Sequence, residues 1–267
     1  MNRAGVAVAG PGLVAGLIAA ALAALALVGT PALAAGLFCV QVVIALAWLA
    51  ALGTKGSLGA FGIAVAAAAA MDVVLGVTDN PDLGDAAPVL GLTLVAALLH
   101  QLARRPRREV TISLAGTISS AAFAVCAASY LALLPEGHGD SADACALFGV
   151  GVALAIARLC DLVVPTPDAF PGSRRGLVGL IVGAGAAVAV GAAYGAHTNG
   201  LSGGSGLRIA VIAAALALIA DVAVDAVLTQ APPPDERRLS ALTPLGVLLP
   251  VVLAAPVVYV TGRILLG

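Results

Sequence analysis

Aromatic residues make up only 3% of this 267-residue chain and charged residues only 10%. So little charge excludes an ordinary soluble domain, in which about a quarter of the residues are charged. An excess of either sign is also lacking: thirteen Lys and Arg stand against fourteen Asp and Glu, for a net charge of −1. Nucleic acid is therefore not an expected partner, because its phosphates demand a basic surface. The four cysteines, Cys39, Cys126, Cys145 and Cys160, show no short metal-ligand spacing such as C-x-x-C. Each lies in or beside an apolar stretch, where cysteine serves as a small packing residue. Polar loops long enough to form a second, soluble domain are missing as well.

What the chain does contain is apolar bulk, 61% of its residues, with a mean hydropathy of +1.09. Ala, Leu, Val and Gly supply most of it, a composition that suits a GC-rich bacterial genome. Crossing a bilayer takes ~20 mainly apolar residues. Nine stretches qualify: 4–28, 33–52, 58–77, 88–103, 110–134, 145–164, 177–196, 207–228 and 239–265. The expected fold is all-α, a single integral bundle over residues 1–267, multi-pass in the bacterial inner (plasma) membrane. Arg3, a long apolar run and Pro31-Ala32-Leu33-Ala34 together resemble a secretory signal with its cleavage site. The apolar run exceeds the ~7–15 residues of a signal peptide, so a retained first helix is expected.

Basic residues crowd the side of the membrane from which chains are inserted. With the N-terminus in the cytoplasm, alternate loops carry Arg3, Lys55, the Arg104–Arg108 cluster, Arg174 with Arg175, and Arg237 with Arg238, ten of the thirteen basic residues. The opposite loops, TDNPDLGDAA, PEGHGDSAD and AHTNGLSGGSG, hold acids and glycines. Nine spans then leave the C-terminus outside.

Within the spans, small and polar residues are the informative ones. Gly179 with Gly183, and Gly191 with Gly195, have the small-xxx-small spacing that lets a second helix approach. Such faces could serve contact with another membrane protein or with a second copy of the chain. Thr111, Ser113, Thr117, Ser119, Ser120 and Ser129 dot the fifth span, and hydroxyls of this kind bond to backbone or across helices. Asp72 stands alone in the third span with no partner evident from the sequence.

Asp221 and Asp225 lie one turn apart on one face of the eighth span. Charge is costly in a bilayer, so both must face protein, a cation or water. The sixth span ends with Arg158 and Asp161, three residues apart and spaced for an ion pair within their helix. The loop PTPDAFPGSRRG follows, and its Ser173, Arg174 and Arg175 open the glycine-rich seventh span. A helix N-terminus beside arginines suits phosphate, so these three are candidates for binding an anion. The eighth span ends on the same side, which makes Asp161, Asp221 and Asp225 metal candidates. Carboxylates together with phosphates are the usual ligands of Mg²⁺.

These residues resemble the phosphatidate cytidylyltransferase (CDP-diacylglycerol synthase) family. There an aspartate ends a mid-chain helix and a Ser-Pro-Lys-Lys-x-x-Glu-Gly loop opens the next. Here Asp161 and Pro171-Gly172-Ser173-Arg174-Arg175-Gly176-Leu177-Val178-Gly179 are similar, with the arginines in place of the lysines and Val178 in place of the glutamate. Ala220-Asp221-Val222 resembles the family's Gly-Asp-Leu, and Ala254-Ala255-Pro256 its closing apolar stretch. The resemblance implies a lipid-binding membrane protein, with Mg²⁺ supporting attack of a lipid phosphate on CTP. It breaks at the closing Asp-Arg-x-Asp, where Gly246, Val247 and Leu249 stand. Without those carboxylates a two-metal displacement loses its ligands, and the expectation is a non-catalytic or altered, lipid-associated relative. The alternatives are an active CTP-dependent lipid nucleotidyltransferase with a relocated metal site, a transporter, and an accessory subunit.

The orientation is directly testable. A reporter active only in the cytoplasm should signal when fused after Lys55, Pro106 or Asp235, and stay silent after Asn80, Gly137 or Gly200. The reverse pattern would invert the topology.

Overall fold

A computed structural model describes residues 3–53, 57–78, 80–105, 110–164, 168–169, 175–198, 200–230 and 236–266, with side chains at 3–9, 57, 228–230 and 236–241 left aside. Among the described residues there are nine α-helices: α1 (Arg3–Val28), α2 (Thr30–Ala51), α3 (Ser57–Val77), α4 (Ala86–Ala103), α5 (Val110–Leu133), α6 (Gly139–Val163), α7 (Leu177–His197), α8 (Gly203–Gln230) and α9 (Glu236–Leu266). Each contains a stretch long and apolar enough to cross a membrane. In lipid a backbone must satisfy its own hydrogen bonds, which an uninterrupted helix does. The chain is thus an all-α integral membrane bundle, and each expected span coincides with one helix.

The joints between helices have local causes. Gly29, at φ 127°, makes the tight turn from α1 to α2, and Pro31 sits in the first turn of α2. A short 3₁₀ turn, Leu83–Asp85, leads into α4. Asp82 accepts from the Gly84 N–H there, and Asp85 accepts from the Asp82 N–H. The α5–α6 turn passes through His138 in the left-handed region at φ 62°. α6 then starts at Gly139, earlier than the expected 145, and draws Asp140 and Asp143 into the helix. Gly139 is required there, because a Cβ would collide with the Leu133 carbonyl oxygen.

Two groups of helices form around α9. In one, α6 packs against α1, α7 and α8; in the other, α5 packs against α2, α3 and α4. α9 touches α8, α5, α2, α1 and α6, and so joins the two groups. Its buried side includes Leu245, Val247, Leu248, Val251, Ala254, Ala255 and Val258. At one end of the bundle Arg263 of α9 reaches Glu136 at 3.1 Å, Asp82 at 3.3 Å and the Tyr259 hydroxyl at 2.8 Å. That exposed network gives a partner to a basic residue that the topology places on the acidic side.

The glycine pairs of α7 are used within the chain, and each pair serves a different neighbour. A Cβ on Gly179 or Gly183 would lie 2.6 Å from the carbonyl oxygen of Ala157 or Ala153 on α6. On Gly191 it would lie 2.6 Å from the Gly206 carbonyl oxygen of α8, and on Gly195 2.5 Å from that of Ser202. The hydroxyls of α5 behave as expected: Thr117, Ser119, Ser120 and Ser129 donate back to their own helix. Ser119 also accepts from the Trp48 indole, and Ser113 from the Gln101 amide.

Glycine substitutions separate contact from propensity. Gly183→Ala should destabilise the protein by about 1–3 kcal/mol through overpacking. Gly185→Ala, with nothing within 4 Å of the added methyl, should leave it unchanged or slightly firmer. Thermal unfolding in detergent would distinguish them.

Candidate functional site

Burying a charge in a bundle of this kind requires a partner on another helix. Asp221, near the C-terminal end of α8, is 1% exposed, and Asp225, one turn further on, is 6% exposed. Both carboxylates therefore face protein, as their spacing anticipates. One oxygen of Asp221 accepts from Arg158 Nη2 of α6 in a short, buried bond. The other lies 2.8 Å from Arg175 Nε, an ion pair whose angle is not that of a hydrogen bond. Arg158 is accordingly not spent on Asp161, the partner suggested by the three-residue spacing. Its helix position aims it across the bundle at α8, where burial makes an ion pair stronger than one at the helix surface.

α9 contributes a backbone group to the same arginine. The Gly246 carbonyl would ordinarily accept from the amide four residues on, but that residue is Pro250, which has no N–H. Arg158 Nη2 lies 3.4 Å from this freed oxygen. On its other side, the stem of Arg158 rests on α1 at Gly12, where a Cβ would collide with Arg158 Cγ. One arginine thereby links α6 with α8, α9 and α1.

The segment entering α7 is folded back. Ala169 N–H donates to the Arg175 carbonyl at 2.7 Å, and Asp168 pairs with Gly176 in an isolated bridge. This turns Arg175 inward, to 5% exposure. Burial pulls its guanidinium below the usual arginine range; Asp221 opposes that most strongly, Arg158 adds to it, and Asp225 and Asp161 oppose it. Asp161 takes the Gly176 N–H at 3.1 Å and so caps the N-terminus of α7. The cap depends on Gly179, since a Cβ there would collide with Asp161 Oδ1.

Of the sequence-derived candidates, Arg175, Asp161, Asp221 and Asp225 gather at this end of the bundle, while Ser173 and Arg174 lie outside the described residues. Arg175 pairs with a carboxylate in the interior where a phosphate fork was expected, and Asp161 caps a helix. Among the described residues no group of three His, Cys, Asp or Glu side chains is placed to hold a metal ion.

An apolar groove adjoins the cluster. About 560 Å³ in volume, it lies between α1, α2 and α9 and is lined by Gly10, Pro11, Val14, Val43, Pro244 and Val247 among others. Thr243 and Val247 in its wall bracket Gly246, the residue that meets Arg158.

Other polar residues are buried away from this end. Gln41 of α2 donates to Asp72 of α3 at 2.9 Å, which supplies the partner missing from the sequence reading. Asp143 of α6 is fully buried, with neither carboxylate oxygen hydrogen-bonded. Sequence reasoning missed it because PEGHGDSAD reads as a solvated loop; only the early start of α6 takes Asp143 inside.

Removing one partner from a buried ion pair typically costs about 3–5 kcal/mol. Asp221→Leu should reach that range, and Arg158→Met with Asp221→Leu should cost less than the two single changes summed. A double-mutant cycle on unfolding in detergent checks this. Comparison of the chain with protein-family models and with curated proteins finds no match, so the functional reading rests on the geometry above.

Proposed function

We propose that the chain is a non-catalytic, lipid-associated membrane protein of the phosphatidate cytidylyltransferase type. The observation supporting this reading is the state of Asp221. Its two oxygens face two buried arginines, whereas a metal-bound phosphoryl transfer needs carboxylates free to ligate the ion. Where the first aspartate of the family's closing Asp-Arg-x-Asp would stand, Gly246 offers Arg158 a backbone carbonyl. Fixed guanidinium groups supply the positive charge beside Asp221 and hold the bundle end together. The groove between α1, α2 and α9 has the apolar lining and the opening that an acyl chain needs.

Two measurements on the purified protein test the proposal. CTP binding with and without Mg²⁺ should show no metal-dependent component. Gly10→Leu, which adds a side chain where nothing lies within 4 Å, should reduce co-purifying lipid severalfold without unfolding the protein. Metal-dependent CTP binding that disappears in Asp221→Asn would favour an active transferase. Unchanged lipid content in Gly10→Leu would remove the groove from the function.

A further inference from the structure

Two oxygens on neighbouring side chains, Gln41 Oε1 and Asp72 Oδ2, are buried between α2, α3 and α5 with no hydrogen-bond partner. Gln41 is 3% exposed and Asp72 7%. The Gln41 amide has two hydrogens, and both are accounted for: Nε2 donates to Asp72 Oδ1 at 2.9 Å and to the Ala124 carbonyl of α5 at 3.1 Å. An acid and an amide are thus joined by one hydrogen bond, while the second oxygen of the acid and the single oxygen of the amide have none.

Among the described residues, the helices packed on α3 hold no lysine or arginine to balance a carboxylate. α3 packs against α2, α5 and α4. Among the described residues α2 offers only Cys39 as a titratable group, and α5 only Cys126 and Tyr130, whose hydroxyl donates to the Val251 carbonyl. The 3₁₀ turn before α4 adds only the acids Asp82 and Asp85. His100 of α4 lies against Gly59, thirteen residues before Asp72 and therefore about 20 Å away along α3. Ca²⁺ or Mg²⁺ would need about six oxygens or more, and no group of three His, Cys, Asp or Glu that could hold a metal ion is formed among the described residues. A proton needs only the two oxygens present.

We propose that Asp72 and Gln41 form a proton-binding site inside the membrane-spanning bundle. The proton sits on Asp72 Oδ2 and is donated to Gln41 Oε1, while Gln41 Nε2 donates to Asp72 Oδ1. This reciprocal acid–amide pair satisfies both orphaned atoms at once, as buried polar groups require. Uptake adds one proton from water to the carboxylate, and release returns it with no other bond changed. Asp72 is five residues from Val77, the last residue of α3, about 7.5 Å along the helix, so exchange takes place toward that surface. Release would leave a bare carboxylate facing the amide oxygen, and the occupied site therefore holds α2 to α3.

Infrared difference spectroscopy on the full chain in lipid vesicles at neutral pH tests this, with and without Na⁺. Wild type minus Asp72→Asn should show the carbonyl stretch of one protonated carboxyl group in both buffers, with the contribution of Asp143 cancelling. Gln41→Leu should move that band to higher frequency by removing its hydrogen bond. Asp72→Asn should keep the thermal midpoint of wild type, since an asparagine amide can restore the reciprocal pair. Carboxylate bands in the difference spectrum, loss of the protonated band on adding Na⁺, or no shift in Gln41→Leu would each overturn the proposal. If Asp72→Asn does not fold, the difference between wild type and Gln41→Leu decides on the same band.

Discussion

Asp221 stands between two buried arginines, Arg158 of α6 and Arg175 at the entrance to α7, and the end of the bundle is arranged around that contact. The packed interior has no water to compensate a displaced charge, so the three buried charged groups must satisfy one another. This requirement orients α8 against α6 and turns the segment before α7 inward. It also recruits the one carbonyl of α9 that Pro250 has deprived of its usual donor. The proline is therefore part of the polar network, although its immediate effect is on the backbone alone.

Close helix approach makes the contact geometrically possible. Gly12 admits the stem of Arg158, and Gly179 leaves room for the Asp161 carboxylate that caps α7. Further along, Gly183 brings α7 onto α6, and Gly191 and Gly195 bring it onto α8. Attraction between such surfaces comes from packing, because lipid tails are as apolar as the helices themselves. Small residues are what allow two backbones to touch. α9 then carries the assembly across to the α2–α5 group, where Gln41 and Asp72 form a second polar contact at another depth.

Much of the candidate site was legible as a set of residues, and little of it as an arrangement. Asp221, Asp225, Asp161 and Arg175 are conspicuous because they interrupt or end apolar runs, and they do collect at one end. Their pairing was not legible: spacing favoured Arg158 with Asp161, yet the partner came from a residue 63 positions further along the chain. The burial of Arg175 was also invisible, since an arginine in a Pro/Gly loop reads as solvated until the loop is seen to fold back. Asp143 escaped notice for the corresponding reason, a helix that begins inside an apparently polar loop.

The helical, membrane-spanning architecture was determined by the sequence itself. Apolar runs of bilayer length leave the backbone no alternative to helix, and the coincidence of each run with one helix follows from that local rule. Even the use of the α7 glycines in close packing could be read from their spacing. What tertiary structure decided was which helices those glycines meet, which arginines Asp221 holds, and that Asp72 faces Gln41. Such choices depend on the rotation and order of helices in the bundle, and lipid-facing and protein-facing surfaces are equally apolar here. Hydropathy cannot distinguish them, and only the few polar side chains, once brought together, show how the helices are turned.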